Sequence, residues 1–329
     1  MHKTAKGVYR PFGRWKSTGR MWGGLCLAVS SFFSPLPSFA LPQGTPQGGE
    51  FKISTDVVLV LLDVSVKDAK GGYVPGLSKD DFHIYEDGAV QKITVFATAD
   101  VPVAVGLVMD DSGSMESKRP ELITAGLAFV GASNPQDQIF VVNFNDKVRR
   151  GLPQTTPFTD DVNLLRSALS RSQPEGRTAL YDAIAFALHH VDSGQRDKKA
   201  LVVVSDGGDT CSTHSFKELM RLIQESHTTI YTVGIFDADD LDRNPQVLKR
   251  IASASGGECF LPTDFGQLIP ICKKIAKDIR NRYTIGYIPA QSGEKAGLRK
   301  IRVAVDAPGH EKLIVRTRTG YSVPSELRK

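Results

Sequence analysis

Residues 103–115 read VAVGLVMDDSGSM, and the fold turns on this stretch. Positions 103–109 form a continuous apolar run with no polar alternation, as expected of a strand buried on both faces. The run stops at Asp110-Asp111-Ser112-Gly113-Ser114, which are residues of a polar loop. Strands of this kind occur in parallel sheets covered by helices, where ligands bind just past the strands' carboxyl ends.

Downstream of this stretch, strands and amphipathic helices alternate. Helical patterns over 120–132, 161–170, 178–191, 215–227, 244–254 and 265–280 are interleaved with strand patterns at 139–144, 200–204, 229–235 and 259–261. This alternation predicts an α/β fold with a doubly wound, mostly parallel sheet over residues 100–282. Outside those limits only strand patterns occur: 57–67 (VVLVLLDVSVK), 82–85 and 91–97 (QKITVFA) before it, and 283–288, 299–306 and 312–317 after it. The two β-rich flanks, 51–99 and 283–324, are expected to pair into one small sandwich-like unit with the α/β unit inserted, leaving a tail at 325–329.

The first 20 residues hold Lys3, Lys6, Arg10, Arg14, Lys16 and Arg20 and no acid. An apolar run from Met21 to about Phe33 follows, and then Ser38-Phe39-Ala40, so residues 1–40 read as a secretory leader. The apolar run is shorter than the roughly 20 residues of a spanning helix. The expected product is exported, periplasmic or secreted, with no membrane span after cleavage; an uncleaved N-terminal anchor is the alternative. Residues 41–50, rich in Pro, Gly and Gln, form a flexible linker. Of 41 basic residues six lie in the leader, leaving 35 against 36 acidic ones, a balance that argues against electrostatic binding of nucleic acid or anionic lipid. Both tryptophans, Trp15 and Trp22, are also in the leader. Cys211, Cys259 and Cys272 remain, with Cys259 and Cys272 the pair to consider for a disulfide.

Asp110, Ser112 and Ser114 put one carboxylate and two hydroxyls on one loop, with Gly113 to let it turn. Oxygen donors of this kind suit a hard divalent cation, Mg²⁺ first, with Ca²⁺ or Mn²⁺ admitted by the same ligands. Alone, such a loop is ordinary turn chemistry. Thr178, in Gly176-Arg177-Thr178-Ala179-Leu180, lies at a helix start, where the plain reading is an N-cap. Asp206, in Val204-Ser205-Asp206-Gly207, follows a second buried strand, where the plain reading is a strand-terminating acid. The order and strand-end placement of all three segments point instead to one site.

These segments resemble a von Willebrand factor type A domain with a complete metal-ion-dependent adhesion site: Asp-x-Ser-x-Ser at 110–114, Thr178 and Asp206. With Pro75 to Gly88 (PGLSKDDFHIYEDG) and Tyr283 to Pro289 (YTIGYIP), residues 51–323 further resemble the exported VWFA-related family known from acidobacteria. The resemblance implies that Ser112, Ser114 and Thr178 coordinate the cation directly, and that Asp110 and Asp206 do so directly or through water. It implies a non-enzymatic adhesion or protein-binding module whose metal meets a carboxylate of a protein or surface partner. It also suggests that Thr178 exchanges between direct and water-mediated contact as the last helix moves. Asp111, Gly113 and Asp209 are expected at the rim. The competing readings are an envelope protein whose metal only stabilises the fold, and a hydrolase using Ser112 as nucleophile. The hydrolase needs a neighbouring base, and His83, His189, His190, His214, His227 and His310 fall in no catalytic motif. The acidic run 237–242 lacks the glycine and terminal Glu of an EF-hand. The basic stretch 273–282 reads as a solvated helix face.

Overall fold

The computed structural model describes residues 59–98, 100–171, 173–236, 243–290, 297–307, 309–310 and 312–323. The leader, the linker, the acidic run 237–242 and the tail lie outside the described residues.

Four strands precede the α/β unit: β1 (Val60–Asp68), β2 (Phe82–Glu86), β3 (Ala89–Gln91) and β4 (Ile93–Ala97). The run 91–97 is therefore not one strand. Its alternation is real, since Gln91 and Ile93 are buried and Lys92 is exposed. The hydrogen-bonding partner, however, changes across Lys92. β3 pairs with β2, whereas β4 joins a different sheet, so the chain crosses between sheets at this point.

The α/β unit runs β5 (Val103–Asp110), α1 (Arg119–Ala132), β6 (Gln138–Phe144), β7 (Val148–Arg150), α2 (Val162–Ser170), α3 (Leu180–Asp192), β8 (Lys198–Ser205), α4 (Phe216–Glu225), β9 (Thr229–Gly234), α5 (Pro245–Ser255), β10 (Cys259–Phe260) and α6 (Leu268–Arg280). Its sheet has the order β10-β9-β8-β5-β6-β7, parallel except for the β6–β7 hairpin. Every residue of β5 is buried, as a central parallel strand requires. Helix starts follow capping chemistry. Asp161 accepts the Asn163 and Leu164 N–H groups, Asn244 caps α5, and Ser215 forms a reciprocal capping box with Glu218.

The chain then returns to the flanking unit through β11 (Tyr283–Tyr287), β12 (Gly297–Val305), β13 (Leu313–Arg316) and β14 (Gly320–Val323). Two antiparallel sheets result, β13-β1-β11-β4 and β14-β12-β2-β3, each mixing strands from both flanks. Between them lies a separate core that includes Val64, Ile84, Ile285 and Tyr287.

The basic stretch at the end of α6 needs correction. Asp278 and Arg282 are buried, not solvated. Asp278 accepts from Ser65 Oγ (3.0 Å), Tyr73 OH (2.7 Å) and the Tyr231 hydroxyl, and pairs with Lys67 (2.7 Å) and Arg282 (3.1 Å). Burial alone would raise this carboxyl, but Arg282 and Lys67 hold it well below the usual carboxylate range. This cluster fastens α6 to β1. Cys259 and Cys272 do not pair: Cys211, Cys259 and Cys272 are all free thiols, and burial pushes Cys272 up to about 12.

Candidate metal centre

β5 and β8 lie side by side and parallel at the centre of the sheet, so their carboxyl ends open on the same crevice. Asp110 is the last residue of β5, and Asp206 directly follows Ser205, the last of β8. Asp110 is fully buried. Its Oδ1 accepts the Ser112 N–H at 2.9 Å and its Oδ2 accepts the Ser205 hydroxyl at 2.6 Å. Ser112 Oγ lies 3.1 Å from Ser114 Oγ, and Ser114 Oγ donates to Asp206 Oδ2 at 2.8 Å. The other Asp206 oxygen accepts the Gly208 N–H at 2.9 Å. Burial pushes the Asp110 carboxyl up to about 7, and repulsion from Asp206 adds to the rise.

Thr178 enters from a third loop. Backbone bonds tie that loop to the first one: Gly113 N–H to Gly176 O (3.2 Å) and Glu175 N–H to Asp111 O (3.0 Å). The Thr178 N–H donates to Thr210 Oγ1 (3.0 Å), and its carbonyl accepts from Thr210 N–H (2.8 Å). Thr178 is not the N-cap of α3. That position belongs to Ala179, which makes no side-chain cap bond. The open N–H groups of α3 are met from the loop after β8, by Asp209 Oδ1 on Tyr181 (3.1 Å) and by Ser212 Oγ on Asp182 (3.1 Å).

The three rim residues fare differently. Asp111 is not at a rim: it is fully buried and ion-paired with Arg119, which also donates to Leu169 O at 2.6 Å. Gly113 does not owe its place to a left-handed turn. It lies outside the positive-φ glycines, and a Cβ there would meet nothing nearer than Gly176 O at 3.7 Å. The left-handed glycines of the site are Gly176, at φ +74°, and Gly207, at φ +80°, where a Cβ would lie 2.4 Å from Asn244 O. Asp209 caps α3.

Two supporting groups escaped the sequence reading. Ser205 orients Asp110, and its signal is only a hydroxyl one residue before the strand-end acid. Asp182 binds the loop after β8 by accepting the His214 N–H (2.9 Å), His214 Nδ1 (2.6 Å) and the Thr213 N–H (2.8 Å). Against the opposing effect of burial, these bonds lower its carboxyl. Nothing in the spacing of 182 and 214 announces that contact. Among the described residues, no group of three or more His, Cys, Asp or Glu side chains is arranged to hold a metal. The present cluster has two carboxylates, and its other side-chain oxygens are hydroxyls.

The family model for the von Willebrand factor type A domain matches residues 105–278, more than half of the chain. The chain belongs to this family. Type A domains are typically adhesion or protein-interaction modules, usually without enzymatic activity, and commonly bind a divalent cation. A type A protein from Catenulispora acidiphila matches 82% of this chain and 74% of its own length, with a TM-score of 0.50 at 15% identity. The type A domain of the type V pili tip protein Mfa5 from Porphyromonas gingivalis matches 55% of this chain and 96% of its own, with a TM-score of 0.47 at 17% identity. No curated protein matches the chain. Among the described residues no helix is long and apolar enough to cross a membrane.

Proposed function

We propose that this chain is an exported, divalent-metal-dependent adhesion or protein-binding module in which Asp110, Ser112, Ser114, Thr178 and Asp206 hold the cation. The observation that carries this reading is the hydrogen-bonded chain Ser112–Ser114–Asp206 beside the buried Asp110, at the ends of two adjacent parallel strands. The donor set fits a hard ion. Its side-chain donors are all oxygen, and two of them are the strand-end carboxylates Asp110 and Asp206. Mg²⁺ is the expected ion, with Ca²⁺ and Mn²⁺ compatible.

When bound, the cation supplies a positive charge with a coordination position open to a carboxylate of a protein or surface partner. The chain's own part is to hold the donors still. Ser205 fixes Asp110, Arg119 anchors the first loop through Asp111, and Thr210 anchors Thr178. A hydrolase is disfavoured because the described hydrogen bonds of Ser112 and Ser114 reach each other and Asp206, not a histidine.

Calorimetric titration with magnesium, manganese and calcium chloride tests the site, and Asp110→Ala is expected to abolish uptake. A chain that takes up none of the three at millimolar concentration is not this module. Capture from envelope extract, with Mg²⁺ against chelator, tests the partner. Metal uptake that raises the melting temperature but captures nothing assigns the ion a purely structural part.

A further inference from the structure

A second concavity lies at the opposite end of the α/β sheet from Asp110 and Asp206, where β8 and β9 begin. Its volume is about 670 Å³, within the range of small-molecule sites. One set of lining residues is apolar: Leu59, Leu61 and Val95 from the flanking unit, and Val101 from the segment that leads into β5. These are among the large apolar side chains that the protein leaves exposed, Leu59 and Leu61 by 42% each. Scattered exposed leucines need no explanation, but four converging on one cleft do.

The facing residues are cationic: Arg196 and Lys198 before and on β8, and Arg318 between β13 and β14. None of the three has a carboxylate within ion-pair distance among the described residues. Lys198 Nζ makes one long bond, to Arg282 O at 3.5 Å. Arg196 donates to Gln136 O, while its buried Nε has no partner. Arg318 is 7% exposed and reaches only neutral groups: Gly320 O, His227 Nδ1 and Gln224 O. Burial pushes Arg318 down to about 10 and also lowers Lys198, which Asp63 offsets only in part. Of the three lining acids, Asp192 pairs with Lys199 and Asp63 accepts from Thr284 Oγ1, while Asp197 is exposed and makes no ion pair with the three cations.

We propose that this cleft binds a single-chain anionic amphiphile, its hydrocarbon chain over Leu59, Leu61, Val95 and Val101 and its head against Lys198, Arg196 and Arg318. A neutral hydrocarbon would leave the cations uncompensated, and a cationic amphiphile would add to their repulsion. An anionic head supplies the charge-assisted hydrogen bonds that the enclosed cations lack.

The test is calorimetric titration of the leaderless chain with dodecanoate, dodecanol and dodecyltrimethylammonium below their micelle concentrations. EDTA is present, so the result does not depend on the metal centre. Dodecanoate should bind saturably, one per chain, and dodecyltrimethylammonium at least tenfold more weakly. Lys198→Met keeps the apolar stem and should weaken dodecanoate about tenfold. Leu61→Glu, at an exposed position, should abolish binding without changing the circular dichroism or magnesium uptake. No saturable dodecanoate binding, equal binding of the cationic amphiphile, or wild-type affinity in both variants overturns the proposal. So does self-association of the wild type that Leu61→Glu abolishes, if dodecanoate does not bind, because the cleft is then an interface between copies. Comparing the three amphiphiles on the wild type decides the matter even if a variant fails to fold.

Discussion

Two buried carboxylates, Asp278 and Asp110, sit in contrasting company. Asp278 is surrounded by its own chain: two cations and three hydroxyls converge on it, and its proton affinity falls. Asp110 has two short hydrogen bonds but faces another carboxylate, and its proton affinity rises. Burial is common to both, so it does not separate structure from function. What separates them is the charge each one meets: Asp278 touches Lys67 and Arg282, whereas the neighbouring Asp206 raises Asp110. Under the function proposed above, a divalent ion from solution is expected beside Asp110, and none beside Asp278.

The comparison predicts unequal costs for the same chemical change. Asp278→Asn leaves Arg282 in the interior without its carboxylate and Lys67 with Glu258 alone, and should cost about 3–5 kcal/mol in urea unfolding. Asp110→Asn in metal-free protein relieves repulsion and should change stability by less than about 1 kcal/mol. Equal costs for the two would break the contrast. Next in size, Mg²⁺ at about a hundred times its dissociation constant should stabilise the wild type by about 2.7 kcal/mol. Asp110→Asn should lose most of that gain.

Acid sharpens the contrast further. A carboxyl whose folded pKa is depressed gives stability that is fully present above its unfolded value of about 3.9 and is lost as pH falls toward the folded value. Urea midpoints measured from about pH 5 to about pH 2.5 should therefore drop more steeply in wild type than in Asp278→Asn. The smallest effect expected is Ser65→Ala, which removes one of several donors to Asp278 and should cost about 1 kcal/mol.

The two clusters also differ in how far the sequence reveals them. Asp110, Ser112, Ser114 and Asp206 announce themselves because each acid ends a long apolar run, and a strand end in a parallel sheet is already a ligand position. The alternation of strands and helices was legible for the same reason: periodicity is local. Asp278 and Arg282 stand four apart in a run rich in lysine and arginine, and that spacing alone reads as a wet helix face. Their partners Lys67, Tyr73 and Tyr231 lie far away along the chain, so only the fold brings them together. β7 and β14, short strands at sheet edges, left no pattern long enough to read. The break at Lys92 was hidden because the inward-outward rhythm continues unbroken while the strand partner changes.

The pairing of Ala97 with Thr284 has a mechanical consequence. The α/β unit leaves the flanking unit just after β4 and returns just before β11, two neighbouring antiparallel strands, so its two tethers emerge from almost the same spot. A tug on anything gripped at the far crevice would be shared between both tethers and delivered lengthwise along the strands. The rungs from Val60–Tyr287 to Val64–Tyr283 would then be loaded together, in shear, instead of being peeled apart one after another.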